Sequence, residues 1–459
     1  MKTGWIKGVA FAVVASAIWA PIEARAESLT DAFISAFRAS NLLDQQRALL
    51  RAADEDVAQA AASLLPVITF VGRSSFNAPS LSPVATSNWT STASLNATLT
   101  LYDNGRTRYA VDAAKETVLG VRSALVQAEQ QVLLNAVQAY MEMIRAAQFV
   151  SLSQSNVRLI TQELRAARDR FEVGEVTRTD VSIAEARLAS SRGNLAAAQG
   201  DLEVARENYN AVVGRYPGNL RWPTNPPMKS RTLAAAKAFA ARNHPSIDEA
   251  QRNVNAAELS IKRAGAAMGP TLGATAGHTV AEGLSSSSSV TLELSQTLYA
   301  GGARRSAKRQ AVANRDAARA GLLQTVVTVK QNVGTAWANL SVSAARTEAA
   351  RREVRAARVA FDGVREEAKF GSRTTLDVLN AEQDLLDARS NLISAEVQQY
   401  VSLYTLFSAM GVLTVEHLGL GIPTYDPVEY YNYATRHDPA RVISRQGRAL
   451  DRVLDALKR

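Results

Sequence analysis

The chain has 459 residues, no cysteine, and a net charge of +9 from 52 basic and 43 acidic side chains. Lacking cysteine, it has no disulfide, no thiolate metal site and no lipidated N-terminal cysteine, and its charges are interspersed along helical stretches, which reads as solvated helix surface and not as a nucleic-acid face. Hydrophobic residues make up 47% and aromatics only 6%, a balance that favours many close-packed, alanine-rich helices over a thick globular core.

The chain opens with two lysines in "MKTGWIKG", the short apolar run "VAFAVVASAIWA", and Ala24-Arg25-Ala26 before Glu27. This is the pattern of a signal peptide over residues 1–26, too short to span a membrane, so the mature protein is expected to be exported. A first helical run then ends at Pro66. Next comes a strand pair whose second member, "SLNATLTL" (94–101), alternates strictly, with Leu95, Ala97, Leu99 and Leu101 on one face. A Ser/Asn-rich loop, 77–90, joins the pair. A very long helix follows from about 104 to 171, roughly 100 Å at ~1.5 Å per residue. Gly174 breaks it, and Thr177-x-x-Asp180 is a capping-box pattern that starts a return helix. On that helix, positions 181, 188, 195, 202 and 209 read Val, Leu, Leu, Leu, Tyr, and the partner positions 184, 191, 198, 205 and 212 are small apart from Val212. A seven-residue period with small partners predicts a closely packed antiparallel coiled coil.

The same order then repeats. "TLYDNGR" (100–106) returns as "TLYAGGA" (297–303), Gly174 as Gly371, Thr177 as Thr374, Asp180-Val181 as Asp377-Val378 and "YNAVVG" as "LFSAMG", all 197 positions apart. Pro66 returns as Pro270, and "VTLEL" (290–294) alternates like its counterpart, with a loop at 281–289 before it. The division expected is a first repeat over 27–214, a proline-rich linker over 215–230, a second repeat over 231–411 and a tail over 412–459, whose residues 440–459 read as a basic, amphipathic last helix.

In an exported protein the alternating strands fit either a soluble sheet or a membrane β-barrel, apolar toward lipid and polar toward the lumen. Four strands cannot close a barrel, and an open edge has no partner in lipid. Three copies give twelve strands, an even number within the known range. The fold class expected is mainly α with a β-barrel part: internally duplicated, four strands plus long coiled-coil helices per protomer.

The paired strand units, the twin "LY-x-x-G" junctions, the "VGEVTRTDV" and "FGSRTTLDV" turns and the "LGLGIPTYDP" tail together resemble the TolC family of outer-membrane efflux proteins. The resemblance covers roughly residues 28–435. It implies a homotrimer with a twelve-stranded outer-membrane barrel and a twelve-helix periplasmic tunnel. It further implies a periplasmic adaptor (membrane fusion protein) and an inner-membrane ABC or proton-driven pump that supplies the energy. The duct is then passive, carrying drugs and small molecules or type I secreted proteins, with no cofactor.

By the same resemblance, Val173, Gly174 and Thr177, with Phe370, Gly371 and Thr374, form the tips that meet the adaptor. Asp377 matches the position of an aspartate ring at the pore entrance; a second family aspartate, one turn on, is Asn380 here. Arg373 matches an arginine that locks the entrance, with Asp180 as its natural partner, while the aromatic that assists it in well-known members is replaced by Ala368. Asp377 and Asp180 are also capping residues, and for Asp377 the two roles stand side by side. An enzyme is disfavoured: the four histidines are scattered and there is no P-loop, nucleophile elbow or dinucleotide turn. The other competing reading is a periplasmic coiled-coil spacer without a pore, against which the twin strand pairs argue.

Overall fold

The computed structural model describes residues 27–77, 88–224, 232–281, 285–423 and 425–432 except 427 and 429. The expected signal peptide, most of the first strand-pair loop, the end of the linker and the basic last helix lie outside the described residues. The elements run α1 (Leu29–Ala39), α2 (Asn41–Ala62), β1 (Val67–Asn77), β2 (Asn88–Tyr102), α3 (Arg106–Glu172), α4 (Arg178–Val213), α5 (Leu233–Asn243), α6 (Pro245–Ala266), β3 (Thr271–Ala281), β4 (Ser286–Ser295), α7 (Ala303–Lys369) and α8 (Thr375–Ala409).

The duplicated order is therefore real: helix, strand pair, long helix, turn, return helix, twice. α3 and α7 are uninterrupted helices of 67 residues each. The coiled-coil seam forms as the heptads require. Ala184, Leu188, Ser191, Ala198, Ala205 and Tyr209 of α4 and Val378, Leu385, Ala388, Ser402 and Leu406 of α8 are all buried. The strands are longer than the alternation alone indicated, because β2 begins at Asn88 and β4 at Ser286, inside the segments expected as loops. Ser286–Ser289 pair with Val280–Gly277 of β3, and backbone pairing outruns the apolar pattern there.

The four strands make one antiparallel sheet in the order β1-β2-β3-β4, so β2 and β3 join the two repeats edge to edge. The register sorts most of the side chains, with Val67 and Val71 on the otherwise polar face and His278 and Ser288 on the otherwise apolar one. Phe70 pairs with Leu95, Leu95 with His278, Ala97 with Ala276, Ala276 with Val290 and Ala274 with Leu292 on one face. The other face carries Thr69, Ser94, Asn96, Thr98, Thr275, Thr279, Thr291 and Glu293. Within one chain the apolar face is bare: Phe70 is 72% exposed, Val290 84% and Leu294 70%.

The described residues fall into two compact units that do not follow the repeat boundary, since the long helices contribute to both. One contains the sheet, α2, α5 and α6, the first part of α3, most of α7 and the end of α8. Its helices are tied by Asn104 Nδ2 to the Ala266 carbonyl (3.2 Å), Arg304 Nη1 to the Ala267 carbonyl (2.7 Å) and Ser123 Oγ to Asp248 Oδ2 (2.6 Å). In that unit the tail is held on α2 and α3: the Tyr430 hydroxyl donates to Glu55 at 2.8 Å, and the Arg122 guanidinium lies 5.8 Å from the Tyr431 ring centroid.

The other unit contains α1, the last part of α3, all of α4, the end of α7 and most of α8. Its N-terminal segment is fastened by one carboxylate. Glu27, only 5% exposed, accepts from the Tyr209 hydroxyl (2.5 Å), Arg215 Nη2 (2.7 Å) and the Gly218 amide (3.0 Å). Its backbone bridges to Leu220, and the buried Tyr140 hydroxyl reaches both the Glu27 and Arg221 carbonyls. The described half of the expected linker is thus a packed strap and not a free connection.

Candidate pore-entrance turns

Both helix breaks are built alike. After α3, the Gly174 amide returns to the Phe171 carbonyl (3.0 Å) and the Glu175 amide to Arg170 (2.9 Å), with Gly174 at φ 82°. After α7, the Gly371 amide returns to Ala368 and the Ser372 amide to Glu367, both 3.2 Å, with Gly371 at φ 76°. The left-handed backbone is what glycine supplies without penalty, and it ends each helix.

The restart is a reciprocal capping box in each case. Asp180 N–H donates to Thr177 Oγ1 (3.3 Å), while Asp180 Oδ2 accepts from the Thr177 amide (2.9 Å) and hydroxyl (2.7 Å). Asp377 N–H donates to Thr374 Oγ1 (3.1 Å), and its Oδ2 accepts from the Thr374 amide and hydroxyl, both at 2.9 Å. Those Thr374 donors, the amide first, hold the Asp377 carboxyl below the usual range, so it is ionised at neutral pH. The apolar residues flanking the glycines have nothing to pack on: Val173 is 72% exposed and Phe370 85%.

The expected pair of Arg373 with Asp180 is not what forms within the chain. Arg373 Nε binds Glu367 Oε2 at 2.8 Å, six residues earlier on the same hairpin, and Asp180 is spent on its cap. The reason is local reach, since the turn folds Arg373 back over the last turn of α7. Asn380 is exposed and accepts from Arg187 Nη2 of α4 at 3.3 Å, a contact between the two hairpins. Ala368 sits buried with Phe361, Val378 and Leu385, so a bulky aromatic there would need the seam to repack.

Sequence reasoning missed a cluster in the same unit. Glu382 of α8 is 3% exposed, and neither of its carboxylate oxygens has a hydrogen-bond partner. Burial, then the charge of Glu163, push its pKa up to about 8 against the opposing pull of Arg187 and Arg365. Arg365 Nε instead binds Glu163 Oε1 at 3.3 Å. No motif in the sequence singled out Glu382. No group of three or more metal-ligating side chains occurs among the described residues.

The family model "Outer membrane efflux protein" matches residues 35–215 and 239–412, the two repeats found above. The outer membrane efflux protein BepC of Brucella suis is 35% identical over 416 residues, covering 89% of this chain and 90% of BepC. The outer membrane protein TolC of Salmonella enteritidis is 28% identical over 351 residues, covering 72% of this chain and 71% of TolC. Among solved structures, CusC, described as undergoing conformational changes accompanying folding and transmembrane channel formation, superposes with a TM-score of 0.73 at 19% identity, over 83% of this chain and 91% of CusC. The chain belongs to the outer membrane efflux protein family and is an outer-membrane channel-tunnel for efflux or type I secretion.

Proposed function

We propose that three copies close one duct, each giving four strands to a twelve-stranded barrel and four long helices to a twelve-helix periplasmic tunnel. The observation that carries this is the open four-stranded sheet with a bare apolar face and a polar Thr/Ser/Asn face. An apolar face suits lipid and a polar face suits a water-filled lumen. β1 and β4 keep unpaired edges that lipid cannot satisfy, so each pairs with a neighbouring protomer.

In that assembly six tip turns surround the entrance. Val173 and Phe370, exposed beside Gly174 and Gly371, and the capping residues Thr177 and Thr374, meet the hairpin of a periplasmic adaptor. An inner-membrane ABC or proton-driven pump energises export and chooses the cargo, drugs or a secreted protein. Asp377 contributes one carboxylate per chain to a ring that favours cations, while remaining a helix cap. Arg373 and Asp180 lock the entrance between protomers, Arg373 exchanging Glu367 for a neighbour's acid.

Because the chain has no cysteine, any disulfide between introduced cysteines is diagnostic. Cysteines scanned along β1 (from Ile68) and β4 (from Leu292) are expected to give oxidised ladders ending at a three-chain species. A ladder that ends at two chains, or no cross-link at any register, contradicts the closure.

A further inference from the structure

The internal repeat provides a comparison inside one molecule. Arg168 and Glu185 of the α3–α4 hairpin stand at the positions of Arg365 and Glu382 of the α7–α8 hairpin, 197 residues on. In the first hairpin the two bind each other: Arg168 Nη2 is 2.5 Å from Glu185 Oε1, both well exposed. In the second, Arg365 turns away to Glu163 of α3 at 3.3 Å, and Glu382 is left buried without a donor.

An unpartnered carboxyl in such a place stays protonated, because burial without hydrogen bonds disfavours the charge. The charged groups facing it come from all three packed helices: Glu163 from α3, Arg187 from α4 and Arg365 from α7. The two arginines are occupied elsewhere. Arg365 on Glu163 ties α7 to α3, and Arg187 on Asn380 ties α4 to α8, so both bonds run from one hairpin to the other.

We propose that Glu382 is a proton-operated switch on the Arg365–Glu163 tie between the hairpins. Protonated, it leaves Arg365 on Glu163 and Arg187 on Asn380. When its proton passes to solvent, the new carboxylate competes for both guanidiniums, since a charged acceptor binds them far better than a neutral acid. Arg365 then adopts the within-hairpin pair that Arg168 and Glu185 already show and α7 is released from α3, while Arg187, passing from Asn380 to Glu382 on the same helix, still joins α4 to α8. The same pairs recur in every protomer, so rising pH relaxes the helical wall next to the entrance turns.

The proposal rests on the channel reading only for its electrical readout. The full-length protein in planar bilayers is titrated through the Glu382 pKa of about 8. Spin labels on cysteines at the exposed positions Glu172 and Lys369 report hairpin separation in parallel. The expected result is a rise in conductance and label distance with one midpoint near that pH. Glu382→Gln removes both steps and fixes the low-pH values. Glu163→Gln moves the midpoint to lower pH, because it removes the neighbouring charge that opposes ionisation, and raises low-pH conductance by cutting the Arg365 tie. Steps that persist unchanged in Glu382→Gln overturn the proposal, as does a wild-type label distance that ignores pH. A pH-dependent distance with no conductance at any pH would instead support the switch and remove the channel.

Discussion

The two faces of the sheet predict opposite responses to the same charge at adjacent residues. Leu292 lies on the apolar face, 65% exposed in one chain, and pairs with Ala274; Thr291 lies on the other face and pairs with Thr275. If the apolar face meets lipid, Leu292→Arg places a guanidinium in hydrocarbon, at a cost of about 2–4 kcal/mol per chain near the bilayer midplane. Each ~1.4 kcal/mol is a tenfold change, so one copy alone shifts the assembled fraction by about thirty- to a thousandfold. Three copies per barrel compound this. Thr291→Arg faces the lumen, where water solvates the charge, and its cost is near zero. The assay is heat-modifiable migration of the assembled species from outer-membrane fractions, followed by tryptic sensitivity. Leu292→Arg is expected to lose the assembled band while Thr291→Arg keeps it. Equal behaviour of the two, or the reverse order, refutes the assignment of the faces.

Asp377→Asn keeps an acceptor for the Thr374 cap but removes the charge, so single-channel reversal potentials in a salt gradient should lose cation preference while thermal stability holds; unchanged selectivity takes Asp377 out of the pore. Glu27→Ala strands the buried Tyr209 hydroxyl, costing about 1–3 kcal/mol, whereas the exposed Gly218 amide and Arg215 can turn to solvent; midpoints of denaturant unfolding should fall, with Tyr209→Phe falling less. Gly371→Ala meets no steric neighbour but must hold φ 76°, so it should destabilise by about 1 kcal/mol through backbone strain alone. Asp54 is fully buried, and desolvation first, then Glu55, raise its pKa to about 6 despite Arg122. The folded chain then binds more protons than the unfolded one between the ordinary value of 3.8 and about 6, so stability falls as pH rises through that window and stays low above it. Asp54→Asn should therefore stabilise the fold at neutral pH, by about 1.4 kcal/mol per pH unit of the window, seen as a higher melting temperature, and the gain should vanish in acid.

Much of the architecture was legible because it rests on local rules. Heptad spacing found the seams, strict alternation found the strand faces, and glycine followed by Thr-x-x-Asp placed both turns. Chain-distant pairings were not legible. Nothing in the alternation says that β2 joins β3, because a strand's own period does not name its neighbour. Strand ends ran past the apolar pattern at Asn88 and Ser286, where backbone pairing continues without apolar side chains. No motif singled out Glu27 or Glu382. Their burial comes from elements far along the chain: the 215–221 strap and Tyr209 around Glu27, and α3 and α4 around Glu382. Arg373 looked toward Asp180 by analogy, but the turn geometry offered it Glu367 first.

The most direct test of a three-chain duct is the conductance of the purified full-length protein in a planar bilayer, with its mass measured in the same detergent. The expected result is discrete, cation-preferring unitary steps from a three-chain particle, lost together with assembly in Leu292→Arg. A monomer that stays in solution and produces no steps, whatever the bilayer, would contradict it.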